Sequence, residues 1–116
     1  MLHTVSLKEN AQFRRLYHRG ATAGNRYLVL YCCRNRLEKS RIGITVSAKL
    51  GHAVTRNRLR RRLREIYRLN ESRFHVGYDI VVVARSRAVD ADFATLTQAY
   101  LSLADRLCLT NSEETV

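Results

Sequence analysis

The strongest chemical signal in the chain is a run of thirteen residues, Arg56 to Arg68, reading RNRLRRRLREIYR. Seven are arginine and one is Glu65, so the run holds +6 of a net +11 in about a tenth of the length. The flat guanidinium fork of arginine bonds two phosphate oxygens at once and stacks on bases. Helical spacing puts Asn57, Arg61, Arg64 and Arg68 on one line, with Arg60 beside it. Leu59, Leu63, Ile66 and Tyr67 (i, i+4, i+7, i+8) form an apolar stripe on the other side. Like charges four residues apart cost an isolated helix a few tenths of a kcal/mol per pair. A face that needed only water would spread its charge, so this ridge implies a polyanion. Asn57 is the one side chain on it suited to reading base edges. That points to recognition of backbone and shape, as is common for structured RNA, without separating RNA from DNA.

The rest of the chain offers no competing chemistry. Cys32, Cys33, His52 and His75 lack any C-x-x-C or H-x-x-x-H spacing for a metal. No Ser-His-Asp set or paired carboxylates stand out, and the acids are scattered, so no catalytic residue is expected in the protein. Adjacent Cys32 and Cys33 point to opposite sides of a strand, Cys108 is distant, and an odd count fits a reducing compartment. No apolar run approaches the roughly 18 residues of a membrane span. The opening MLHTVSLKEN turns polar too early for a signal peptide. The expected address is the cytoplasm, with no membrane partner.

The elements that must position the basic ridge follow from pattern. Ser6 to Glu9 has capping-box spacing, which predicts a helix over about residues 7–19, ended by Gly20. RYLVLYCC (26–33) reads as an inner strand, 34–41 as a turn, and RIGITVS (41–47) as a second strand; a short strand near 21–23 is only weakly signalled. A helix over about 53–69 carries the arginines, and YDIVVVA (78–84) is a third strong strand. Asp90 or Asp92 caps a last helix whose apolar face is Phe93, Leu96, Tyr100, Leu103 and Leu107. With 116 residues, no linker and no repeat, this is one α+β domain: 1–109 folded, 110–116 a loose acidic tail.

The segment GITVSAKLGHAVTRNRLRRRLREIYR (43–68) resembles the protein subunit of bacterial ribonuclease P. It has that family's Val-Ser-Lys element, then Gly-x-Ala-Val-x-Arg-Asn-Arg and a basic helix. Phe13, Tyr17, Gly20, RYLVLYCC and YDIVVVAR follow the family's order, so the likeness spans about 6–107. One departure is plain: the family usually has two lysines after the serine, and here Ala48 precedes Lys49.

The resemblance implies a four-stranded sheet with three helices, in the order α-β-β-β-α-β-α, with a left-handed crossover through the basic helix against the usual rule. It implies binding to the ribonuclease P RNA, which holds the catalytic centre, uses Mg²⁺ and cuts the 5′ leader from precursor tRNA; no protein partner is required. On this basis Lys49, Arg56, Asn57, Arg58, Arg60, Arg61, Arg64 and Arg68 are expected to contact the catalytic RNA, with Arg58 the first choice to face inward as a brace. Phe13 and Tyr17 share a helix face and, with Tyr31 as a floor, are expected to line a cleft for the single-stranded leader; plain core packing is the competing role. Two rival functions are a general or ribosome-associated RNA-binding protein without an enzymatic partner, and a small protein nuclease.

Overall fold

In the computed structural model, which describes residues 3–111, β1 (Thr4–Ser6) leads to α1 (Asn10–Arg19). Strands β2 (Ala21–Gly24), β3 (Leu28–Arg34) and β4 (Ser40–Thr45) follow. Then come α2 (Ala53–Asn70), β5 (Tyr78–Ala84) and α3 (Phe93–Arg106). The five strands form one sheet in the order β1-β4-β5-β3-β2. β4 lies parallel to both β1 and β5, and β3 lies antiparallel to β5 and β2. The chain crosses from β4 to its parallel neighbour β5 through α2, as a parallel pair requires.

Three layers follow from the pattern of the inner strands. Leu28, Leu30 and Cys32 of β3, with Ile80 and Val82 of β5, pack against Leu59, Leu63 and Ile66 of α2 and Leu96, Tyr100 and Leu103 of α3. The alternate residues Tyr31, Cys33, Val81 and Val83 meet Leu7, Phe13 and Leu16 on the opposite face. β5 is therefore apolar from Ile80 to Ala84, because helices cover both its sides. A buried Asp79 pins its start: Arg41 grips it with Nε–Oδ1 and Nη2–Oδ2 contacts of 2.8 Å each, and Asn35 Nδ2 donates to Oδ1 at 2.9 Å. Donating to that carboxylate holds the Arg41 guanidinium further on the protonated side than usual.

The sheet has five strands where four were expected. β1 is three residues long and half exposed at an edge, too short for a periodic signal. It also displaces the start of α1. Leu7 N–H donates to the Ile42 carbonyl at 2.8 Å, extending the pairing with β4. The cap is Glu9, which forms a capping box with Gln12 instead of Ser6 with Glu9. Gly20 ends α1 in extended backbone (φ −74°). A Cβ there would sit 2.9 Å from the Cys32 carbonyl oxygen, so close approach to β3 requires the glycine. Asp92, not Asp90, caps α3, accepting from Thr95 N–H at 2.7 Å. Thr110 and Asn111, expected in the tail, belong to the fold. Thr110 is buried and bridges to Phe74, and Asn111 N–H donates to the Arg73 carbonyl at 2.8 Å. The remainder of the expected tail lies outside the described residues.

Candidate nucleic-acid interface

The α2 stripe Leu59, Leu63, Ile66 and Tyr67 is almost wholly buried, which fixes the rotation of the helix. Asn57, Arg58, Arg61, Arg64 and Arg68 are then turned to solvent. Arg58, expected as the inward brace, is exposed. Counting 100° per residue from the buried stripe sends it to the outer flank, and the bracing falls to three half-buried arginines instead. Arg56 Nε donates to the Gly51 carbonyl at 3.1 Å, tying the preceding loop to the helix. Arg60 Nη1 donates to Asn57 Oδ1 at 2.8 Å, and its Nη2 reaches the Val46 carbonyl at 3.5 Å. Arg62 Nη1 donates to the Ala91 carbonyl at 3.1 Å.

Arg68 has a partner of its own. Its fork closes on Glu65, Nε–Oε1 2.8 Å and Nη2–Oε2 2.5 Å. The bond from Arg68 holds the Glu65 carboxyl below its usual range. Arg58, Arg61 and Arg64 have no carboxylate partner among the described residues, so the free positive charge lies in the first two-thirds of α2. Lys49 adds to it from an exposed turn, Ala48–Leu50, where its own N–H donates to Ser47 Oγ at 3.2 Å. The first turn of α2 holds no acid and no side-chain cap, so the positive end of the helix dipole reinforces the same field.

Phe13, Tyr17 and Tyr31 come together on the α1 side of the sheet. The Tyr17 and Tyr31 rings meet edge to face with centroids 4.9 Å apart. Tyr17 is 40% exposed, and its hydroxyl lies 3.3 Å from Thr45 Oγ1. Phe13 is partly buried with the Cζ and Cε1 atoms of its ring against Gly43, where an added Cβ would stand 2.7 Å from the ring. Core packing thus accounts for much of Phe13, while Tyr17 and Tyr31 keep ring surface in reach of a ligand. The aromatic patch and the basic helix meet at the end of β4. Tyr17 contacts Thr45 on one face, and Arg60 reaches the next residue, Val46, from the other.

Sequence reasoning missed a second basic surface. Arg14, Arg15, His18 and Arg19 stand exposed on the outer side of α1. The string RRLYHR carries that signal beside the apolar residues that place the helix. Among the described residues no group of three or more His, Cys, Asp or Glu gathers as a metal site, and no helix is long and apolar enough to cross a membrane.

A three-layer α+β domain with an arginine ridge on one side of a strand end and half-exposed tyrosines on the other has the surface of a nucleic-acid-binding protein. The Ribonuclease P family matches residues 1–108, and the chain belongs to that family. It is 43% identical over 104 residues to the ribonuclease P protein component of Clostridioides difficile, covering 89% of this chain and 91% of the relative. Its fold is similar to the Staphylococcus aureus RNase P protein, with a TM-score of 0.84, 34% identity, and 91% and 97% of the two chains covered. The Thermotoga maritima RNase P protein gives a TM-score of 0.78 at 34% identity, covering 84% and 92%. As a ribonuclease P protein component it is a subunit of a ribonucleoprotein endoribonuclease and associates with the RNA of that enzyme.

Proposed function

We propose that this chain serves the removal of 5′ leaders from precursor tRNA by gripping two RNAs at once. Exposed arginines of α2, with Lys49, hold the catalytic RNA. Tyr17 and Tyr31, backed by Phe13, stack the single-stranded leader. The chemistry resides in the RNA and uses its Mg²⁺. The observation that carries this reading is the junction at Thr45 and Val46, which brings the aromatic patch and the arginine ridge to the two sides of one strand end. Stacking tolerates any base, at about 1–3 kcal/mol each, which suits a subunit that meets many leaders. Positive charge between two polyanions offsets their repulsion, so its effect is greatest when Mg²⁺ is scarce.

One reconstitution separates this reading from its rivals. Precursor tRNA is incubated with protein alone, with RNA subunit alone at low Mg²⁺, and with both. The expected result is cleavage at the mature 5′ end that needs the RNA and is accelerated by the protein. Cleavage by the protein alone would identify a nuclease. No acceleration would favour a general RNA-binding protein.

A further inference from the structure

Past the aromatic patch, where β3 ends, lies a second positive site. A concavity there is lined by Arg15 of α1 and by Arg34, Asn35 and Arg36 where β3 turns toward β4. The register puts Val29 level with Thr45 and Arg34 level with Tyr78. The concavity therefore lies roughly 17 Å along β3 from the Thr45 junction, five residues at the strand rise. The three arginines are exposed, and none has a carboxylate partner among the described residues. Of the acids at this end of the sheet, Asp79 is buried and engaged by Arg41 and Asn35, and Glu38, exposed in the turn, pairs with none of the three arginines.

The turn that presents Arg36 is built. Arg36 holds φ +61°, a left-handed backbone that side chains other than glycine seldom adopt. Asn35 braces it: its Oδ1 accepts from Leu37 N–H at 2.8 Å, and its Nδ2 donates to the Lys39 carbonyl at 3.1 Å and to buried Asp79. Arg34 lies over the Tyr78 ring, 5.9 Å from its centroid. Arg14 and Arg19 extend the charge along the outer side of α1. Unpaired guanidinium groups around a concavity focus a positive potential suited to phosphate.

We infer that the Arg15–Arg34–Arg36 concavity is a phosphate site for single-stranded RNA leaving the aromatic patch, setting the path of the leader from the Thr45 junction toward the β3–β4 turn. This rests on the leader-binding reading above. The test uses the reconstituted holoenzyme and precursor tRNAs whose leaders are shortened one nucleotide at a time. Wild-type affinity should climb with leader length and then level off. R15Q/R36Q should match wild type on the shortest leaders and on mature tRNA. On long leaders it should lose about tenfold, with a salt slope flatter by about 1.4 for two single-strand contacts. Arg36→Lys, which keeps the charge, should restore most of the loss of Arg36→Gln. Equal losses at every length, or none on long leaders, overturn the inference. A wild type indifferent to the leader overturns the leader-binding reading as well, which separates the two failures.

Discussion

Replacing Arg58, Arg61 and Arg64 together by glutamine isolates the electrostatic role of α2 from its structural role. These three are exposed and have no carboxylate partner among the described residues, whereas Arg56, Arg60 and Arg62 bond backbone carbonyls and Arg68 is matched by Glu65. The triplet lies at successive i, i+3 positions, so the wild-type helix bears repulsion that the variant loses, and glutamine keeps helix propensity. Thermal stability should therefore be unchanged or slightly higher. Each lost phosphate contact lowers the dependence of log K on log salt by about 0.7 to 0.9. Three contacts lower it by about 2 to 3. Filter binding to the RNA subunit, titrated with KCl, reads this slope directly. A variant that binds with the wild-type slope would refute the arginine ridge as the gripping surface. A variant that loses affinity and melts early would show that these side chains hold the fold.

Tyr17→Ala should weaken binding of precursor tRNA but not of mature tRNA with little change in melting. Phe13→Ala, which strips a partly buried ring from Gly43, should cost stability of about 2 kcal/mol by thermal melting, below the range for a fully buried phenylalanine. Thiol titration at pH 8 should find exposed Cys108 the fastest to react. Cys32, whose thiol burial pushes up to about 11, should stay silent until the protein unfolds. Tyr100→Phe should leave the melting temperature equal or higher, because its buried hydroxyl finds no hydrogen-bond partner among the described residues.

How much could be read beforehand depended on how far each signal rested on local periodicity. The α2 stripe and the strand YDIVVVA span enough residues to reveal their buried faces, and both were legible. β1 was not, because a three-residue parallel edge strand exists only through pairing with Ser40 to Ile42, a partner some 36 residues away. That same pairing overrode the Ser6 capping signal, a case of tertiary contact defeating a valid local motif. The individual arginines were harder still. Helical angle separates exposed from buried positions, but which flank meets a carbonyl depends on where β4 and the start of α3 happen to lie. Arg58 and Arg62 differ by one turn, yet only Arg62 finds Ala91.

The braced arginines matter to the proposed grip as much as the free ones. A long arginine side chain has close to 2 kcal/mol of rotamer freedom to lose on binding. Arg60 has already lost part of it to Asn57 and Val46, and in doing so it fastens the start of α2 to the end of the strand that carries Thr45. Arg56 does the same for the loop at Gly51. The helix ridge and the tyrosine patch are thus tied to one strand end, with the sheet between them setting their separation. Two RNAs held on them keep a fixed distance from each other, which free surface charge of equal magnitude would not provide. On the proposed reading, the orientation of the leader relative to the catalytic RNA then follows from strand geometry, and the exposed arginines supply affinity without having to supply position.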